Sequence, residues 1–197
     1  MTIIRFRNRL MITIMTMISA LAAFWSNFSQ EDQVEASPTA AAKKTLIIYF
    51  SLQGSTKEAA QYLQKQTGAD MVRIYPQDRY DGYNDAAKRG ERELKNNIHP
   101  ALATQLPDLD QYDTILLGYP TWWSRPPMLF WTLFEEYNFK GKTIIPFTTS
   151  MSTPIKDSQK YVRQLAEADG ANFKNGLRYD DNQAQVRQWL TKFGLIK

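Results

Sequence analysis

Residues 45–50, Thr-Leu-Ile-Ile-Tyr-Phe, are apolar and β-branched almost throughout, with no polar alternation. Such a run suits a strand buried on both faces, and strands of that kind belong to parallel sheets covered by helices on both sides. It stops in Ser51-Leu52-Gln53-Gly54-Ser55-Thr56-Lys57, after which Ala59, Ala60, Tyr62 and Leu63 recur at helical spacing up to Gly68. The first N–H groups of that helix have no intrahelical partner, and Ser51, Ser55 and Thr56 add hydroxyl donors at the same point. The turn can therefore hold a phosphate without a cation. It is not the nucleotide-triphosphate loop: the first glycine is missing, and Lys57 is followed by Glu58 rather than Ser or Thr. The competing local reading is an ordinary capped helix after a buried strand.

Downstream, the same alternation recurs. Residues 71–74 read as a second strand, 75–84 as a Pro-, Gly- and Asp-rich loop, and 84–97 as a charged, mostly solvated helix. Residues 114–118 form a third strand, and Pro126-Pro127 opens a helix with Met128, Trp131 and Phe134 on one face. Residues 142–148 form the fourth strand, and Pro154 opens a helix carrying Ile155, Val162 and Leu165. Residues 173–179 are a weaker fifth strand, and a helix over 182–193 closes with Val186, Trp189, Leu190 and Phe193 as its apolar stripe. Five alternations predict an α/β fold, a doubly wound five-stranded parallel sheet, whose ligands sit beyond the C-terminal ends of the strands where strand order reverses.

The N-terminus has a different character. Arg5, Arg7 and Arg9 precede an uncharged, mostly apolar run over 10–25, with Ala20-Leu21-Ala22 as a small-x-small pattern. That is the layout of a secretory signal peptide over 1–23, or of an uncleaved N-terminal membrane anchor. Either places the main domain outside the cytoplasm, secreted or anchored and facing outward. Residues 24–44 are polar and Ala/Ser/Pro-containing, a flexible linker to a single domain over 45–197. Losing the three leader arginines would reduce the formal charge from +4 to +1. No basic stripe interleaved with aromatics points to nucleic acid. With no cysteine and one histidine, His99, the sequence excludes disulfides, a thiolate nucleophile and a zinc cluster. A serine hydrolase using Ser51 would lack G-x-S-x-G and would have His99 as its one possible base.

Three loops follow strands one, three and four, at 51–56, 119–125 and 148–153, and should converge on one crevice. The second, Tyr119-Pro120-Thr121-Trp122-Trp123-Ser124-Arg125, carries two tryptophans that look exposed. A flat aromatic ligand stacked on an indole accounts for them.

These segments resemble the flavodoxin-like family, in particular the bacterial branch with a Tyr-Pro-x-Trp-Trp loop. The matching residues are Tyr49-Phe50-Ser51 through Gly54-Ser55-Thr56-Lys57, Leu106-Pro107-Asp108-Leu109, Leu117-Gly118-Tyr119-Pro120-Thr121-Trp122-Trp123, Gly141-Lys142 through Phe147-Thr148, and Trp189-Leu190. The resemblance implies a three-layer sandwich in which Ser51, Gln53, Gly54, Ser55 and Thr56 hold the phosphate of FMN. It further implies that Pro120, Thr121, Trp122 and Trp123 line one side of the isoalloxazine ring, while Thr148, Thr149 and Ser150 line the other. One departure stands out: the family usually has a glycine-rich loop after strand four, and Thr148-Thr149-Ser150-Met151-Ser152-Thr153 has no glycine.

The expected function is electron transfer or flavin-dependent oxidoreduction, with FMN doing the redox chemistry. The partner would be a redox protein or a small acceptor such as a quinone, and the protein either an electron carrier or a quinone-reductase-like enzyme. Arg125 is expected as a cation at the rim of the flavin site. The alternative is a flavodoxin-fold binding module that has lost FMN and takes another phosphorylated or aromatic ligand.

Overall fold

The computed structural model describes residues 44–197; the leader expected over 1–23 and nearly all of the linker expected over 24–44 lie outside the described residues. The chain order is β1 (Lys44–Tyr49), α1 (Ser55–Thr67), β2 (Asp70–Arg73), α2 (Gly82–Lys95), β3 (Tyr112–Pro120) and α3 (Leu129–Glu136), followed by β4 (Thr143–Thr149), α4 (Ile155–Ala168), β5 (Asn172–Phe173), β6 (Leu177–Arg178) and α5 (Gln183–Lys192). All strand pairs are parallel, in the order β2-β1-β3-β4-β5, with β6 also on β4. This is the doubly wound sheet expected from the alternation, with the order reversing between β1 and β3.

Both faces of the three inner strands are buried. Leu46, Ile48, Ile115, Leu117 and Tyr119 point into one cluster with Leu129, Phe130 and Leu133 of α3 and Val162 of α4. Ile47, Tyr49, Leu116, Ile145 and Phe147 point into the other, with Ala59, Ala60 and Leu63 of α1 and Val186 and Leu190 of α5. The two-residue period of a strand thus sends successive apolar residues to opposite layers, which is why no polar alternation is visible in the sequence.

The fifth strand is broken, and β4 explains the break. Carbonyls of Lys142, Ile144 and Thr148 accept from Asn172, Lys174 and Tyr179 N–H groups, so even-numbered residues of β4 face the fifth strand. Pro146 falls in that series and has no N–H to offer. Opposite it, the backbone of Gly176 comes so close that an added Cβ would stand 2.0 Å from the Pro146 carbonyl. The strand therefore bonds to β4 up to Lys174 and again from Leu177, and parts in between.

Gly118 of β3 is paired with Phe147 of β4, and a Cβ on it would lie 2.2 Å from Phe147 Cζ. Gly118→Ala should cost about 2–3 kcal/mol, at the upper end for overpacking a core. Urea unfolding checks this, and Phe147→Leu should recover part of the loss in the double variant.

Candidate functional site

The turn over residues 51–56 leaves β1 with Ser51 buried and its Oγ accepting from Gly54 N–H at 3.2 Å. Gly54 has φ 115°, a region closed to side-chain-bearing residues, so the tight entry to α1 depends on glycine at this position. No side chain caps the helix start; its first backbone bond is Glu58 N–H to the Gly54 carbonyl at 2.9 Å. The N–H groups of the first turn are therefore available to an anion, together with the Ser55 and Thr56 hydroxyls. From the end of β2, the Arg73 guanidinium donates to the Ser51 carbonyl and lies over the Tyr75 ring, bracing the turn from outside.

After β3 the chain makes a two-residue reversal. Trp122 and Arg125 exchange backbone hydrogen bonds at 2.9 and 3.0 Å, and Trp123 and Ser124 between them have φ 45° and 59°. Two successive positive φ values are the signature of a turn that normally takes Asn-Gly. Holding a tryptophan and a serine there costs about 1–2 kcal/mol per residue. The surrounding packing maintains it. Trp122 meets Phe50 and Tyr80 edge-on, with ring centroids 5.7 and 5.3 Å apart, and both indoles rest on Gly90 of α2. Trp123 stays 46% exposed. The pair is thus unequal: Trp122 is partly a core residue, and Trp123 is the freely presented aromatic face.

Beneath Trp122 lies a polar network. The Tyr80 hydroxyl donates to Glu93 at 2.8 Å, and Arg89 lies over the Tyr80 ring at 4.5 Å and 3.8 Å from the Glu93 carboxylate. Burial pushes the Glu93 carboxyl above its ordinary value, against the pull of the Tyr80 hydrogen bond and of Arg89. Burial and the same bond push the Tyr80 hydroxyl far upward, so it stays protonated as a donor.

The third loop needs no glycine. None of residues 148–153 has a positive φ. Thr148 is fully buried, donating to the Tyr119 carbonyl at 2.7 Å and lying 2.7 Å from Thr121 Oγ1. Thr149 Oγ1 is 2.8 Å from Thr56 Oγ1, which ties this loop to the 51–56 turn. Ser150 Oγ donates to the Thr153 carbonyl at 2.6 Å, and Met151 is fully exposed.

The three loops converge on one pocket of about 750 Å³. Ser51, Gln53, Ser55 and Thr56 line it, as do Pro120, Thr121, Trp122 and Trp123, and Thr149 and Ser150. Gly54 and Thr148 do not: the first shapes the turn through its backbone, and the second fastens the loop from below. Arg125 is a correction. Its guanidinium lies over Tyr161 of α4 at 4.2 Å and donates to that hydroxyl at 3.0 Å, so it braces the tryptophan turn and is not among the pocket residues. The α2 helix is a second correction. Tyr83, Ala86 and Ala87 of this supposedly solvated helix line the pocket, and Gly90 supports the indoles. Arg178, Tyr179, Asp180 and Asp181 at the end of β6 also line it. Their signal in the sequence is position: they lie at the C-terminal end of the fifth strand, at the same edge as the other three loops. Ser51 lines this pocket, whereas His99 pairs with Glu135 at 2.6 Å and is not among the pocket residues, so the pocket lining offers Ser51 no histidine base.

The sequence profile of the flavodoxin family, described as Flavodoxin, matches residues 44–193. The chain belongs to that family. Among curated relatives, Flavodoxin 1 of Escherichia coli K12 is 28% identical over 130 residues, 64% of this chain and 57% of its own length. The chain thus spans a little over half the length of the curated relatives it matches. A Bacteroides eggerthii structure assigned as a flavoprotein has a TM-score of 0.69 at 30% identity, covering 76% of this chain and 96% of the other. The Lactobacillus acidophilus flavoprotein, solved in complex with FMN, has a TM-score of 0.64 at 25% identity, covering 75% and 99%.

Two outcomes follow from α2. Alanine in a helix interior normally stabilises by about 0.5–1 kcal/mol over glycine. At position 90 its Cβ would stand 3.0 Å from Trp123 Cζ3 and 3.2 Å from Trp122 Cε3, so Gly90→Ala should yield no such gain and should shift tryptophan emission. Urea unfolding followed by fluorescence checks both. For Glu93, the folded state holds the proton more tightly than the unfolded chain does. Its contribution is therefore fully favourable below 4.5, the ordinary value, and is lost as pH rises from there through the raised value. Glu93→Gln keeps an acceptor for Tyr80 and should flatten that decline in a stability-versus-pH series.

Proposed function

We propose that this protein binds FMN in the pocket between the 51–56, 120–123 and 149–151 loops and uses it for electron transfer or flavin-dependent oxidoreduction outside the cytoplasm. The observation that carries this reading is a single pocket joining an uncapped, hydroxyl-lined helix start to an exposed indole. One end suits a phosphate monoester and the other a flat aromatic ring. The FMN complex of the Lactobacillus acidophilus relative supports the same ligand. The leader pattern of residues 1–23 supports the location.

When bound, FMN supplies one- and two-electron chemistry, and the protein supplies position and electrostatics. Ser55, Thr56 and the first-turn N–H groups hold the phosphate. Thr149, hydrogen-bonded to Thr56, keeps the third loop against that end. Trp122, fixed by Phe50, Tyr80 and Gly90, sets where Trp123 presents its face. Glu58 also lines the pocket, in the first turn of α1. Its charge suits the helix dipole and opposes the phosphate, so it weakens the grip without removing it. Electrons would pass to a redox protein or to a small acceptor such as a quinone. Three of the four exposed large hydrophobic side chains among the described residues, Tyr83, Trp123 and Met151, line this pocket, giving it an apolar mouth.

The glycine-free loop with its exposed Met151 favours a second reading, a binding module that takes another phosphorylated or aromatic ligand. Titration of the purified protein with FMN and riboflavin separates the two. FMN should bind one to one, with quenching of flavin and tryptophan fluorescence, and riboflavin more weakly. Ser55→Ala should weaken FMN about tenfold, as loss of a hydrogen bond to a charged group does, and leave riboflavin nearly unchanged. A protein that takes up neither flavin would support the second reading.

A further inference from the structure

We infer that Arg178 is the residue that offsets the negative charge the flavin ring gains on reduction, and that Asp180 sets how strongly it does so; this rests on FMN being the ligand. The pocket lining has one cation, Arg178, and three carboxylates, Glu58, Asp180 and Asp181. The Arg178 guanidinium is held at two points. It donates to the Ser150 carbonyl at 3.3 Å, on the loop assigned to flank the ring, and to the Asp180 carboxylate at 3.0 Å. Its side chain is 31% exposed, so its charge is partly withdrawn from solvent and acts over a shorter, less screened path than a free surface arginine. Arg125, outside the pocket lining, is committed to Tyr161.

The charge balance is simple. Two electrons and one proton entering the ring system leave it with one negative charge more than before. A guanidinium, charged at every working pH, stabilises that state over the oxidised one, whereas a carboxylate opposes it. Arg178 and Asp180 therefore act with opposite sign from adjacent positions. Asp180 both holds the guanidinium in place and draws off part of its field.

The full protein loaded with FMN, reduced stepwise with dithionite against a reference dye, tests this. Arg178→Gln should lower the ratio of reduced to oxidised flavin at a given potential about tenfold, equivalent to about 30 mV for a two-electron couple. Arg178→Lys should retain most of the wild-type ratio, and Asp180→Asn should raise it. Parallel FMN and riboflavin titrations distinguish a role at the phosphate. The inference is overturned if flavin stays bound and neither Arg178→Gln nor Asp180→Asn moves the potential, or if both move it the same way. It is also overturned if Arg178→Gln weakens FMN far more than riboflavin. A wild-type chain that takes up no flavin would instead refute the FMN reading itself.

Discussion

The whole arrangement depends on the inner strands being buried on both faces and all running the same way. β1, β3 and β4 have no polar face, so each must be covered above and below, and helices on both sides provide the cover. Parallel strands then end at one edge, and the chain leaves each of them there for its next helix. That edge is where backbone groups leave the ladder and become available to a ligand. The 51–56 turn, the tryptophan turn and the threonine-rich loop meet because topology leaves them nowhere else to go.

Convergence alone does not make a site; what makes one is the way each loop is fixed. Gly54 supplies a backbone angle no other residue adopts cheaply, and Arg73 braces the same turn from β2. The tryptophan turn holds two side chains in left-handed backbone, a cost of a few kcal/mol carried by Phe50, Tyr80, Gly90 and the Arg125–Tyr161 contact. The third loop is fastened by hydroxyls: Thr148 to Tyr119 and Thr121, Thr149 to Thr56, Ser150 to Thr153. Threonine and serine do here by hydrogen bonding what glycine does elsewhere by conformational freedom.

The fold was legible because it is written in local patterns, apolar runs of strand length and helical spacing, and these survive without tertiary knowledge. Residues contributed by the ends of β1, β3 and β4 were legible for the same reason. What was not legible came from pairings across distant segments. Nothing near Gly90 says that two indoles will rest on it, and a Gly-Glu-Arg-Glu stretch reads as solvated helix. Arg125 lies next to the tryptophans in sequence, yet its guanidinium goes to Tyr161, a residue 36 positions away. Arg178 lies inside the 173–179 run that reads as strand, and it is the C-terminal end of that run, not a separate loop, that enters the pocket. The leader over 1–23 remains a reading of the sequence pattern.

A crystal structure of the protein grown with FMN tests the central claim most directly. The account predicts the phosphate within hydrogen-bonding distance of the Ser55 and Thr56 N–H groups and hydroxyls, and the ring between the Trp123 indole and the 149–151 loop. Flavin bound at another surface, or a pocket that stays empty at saturating FMN, would contradict it.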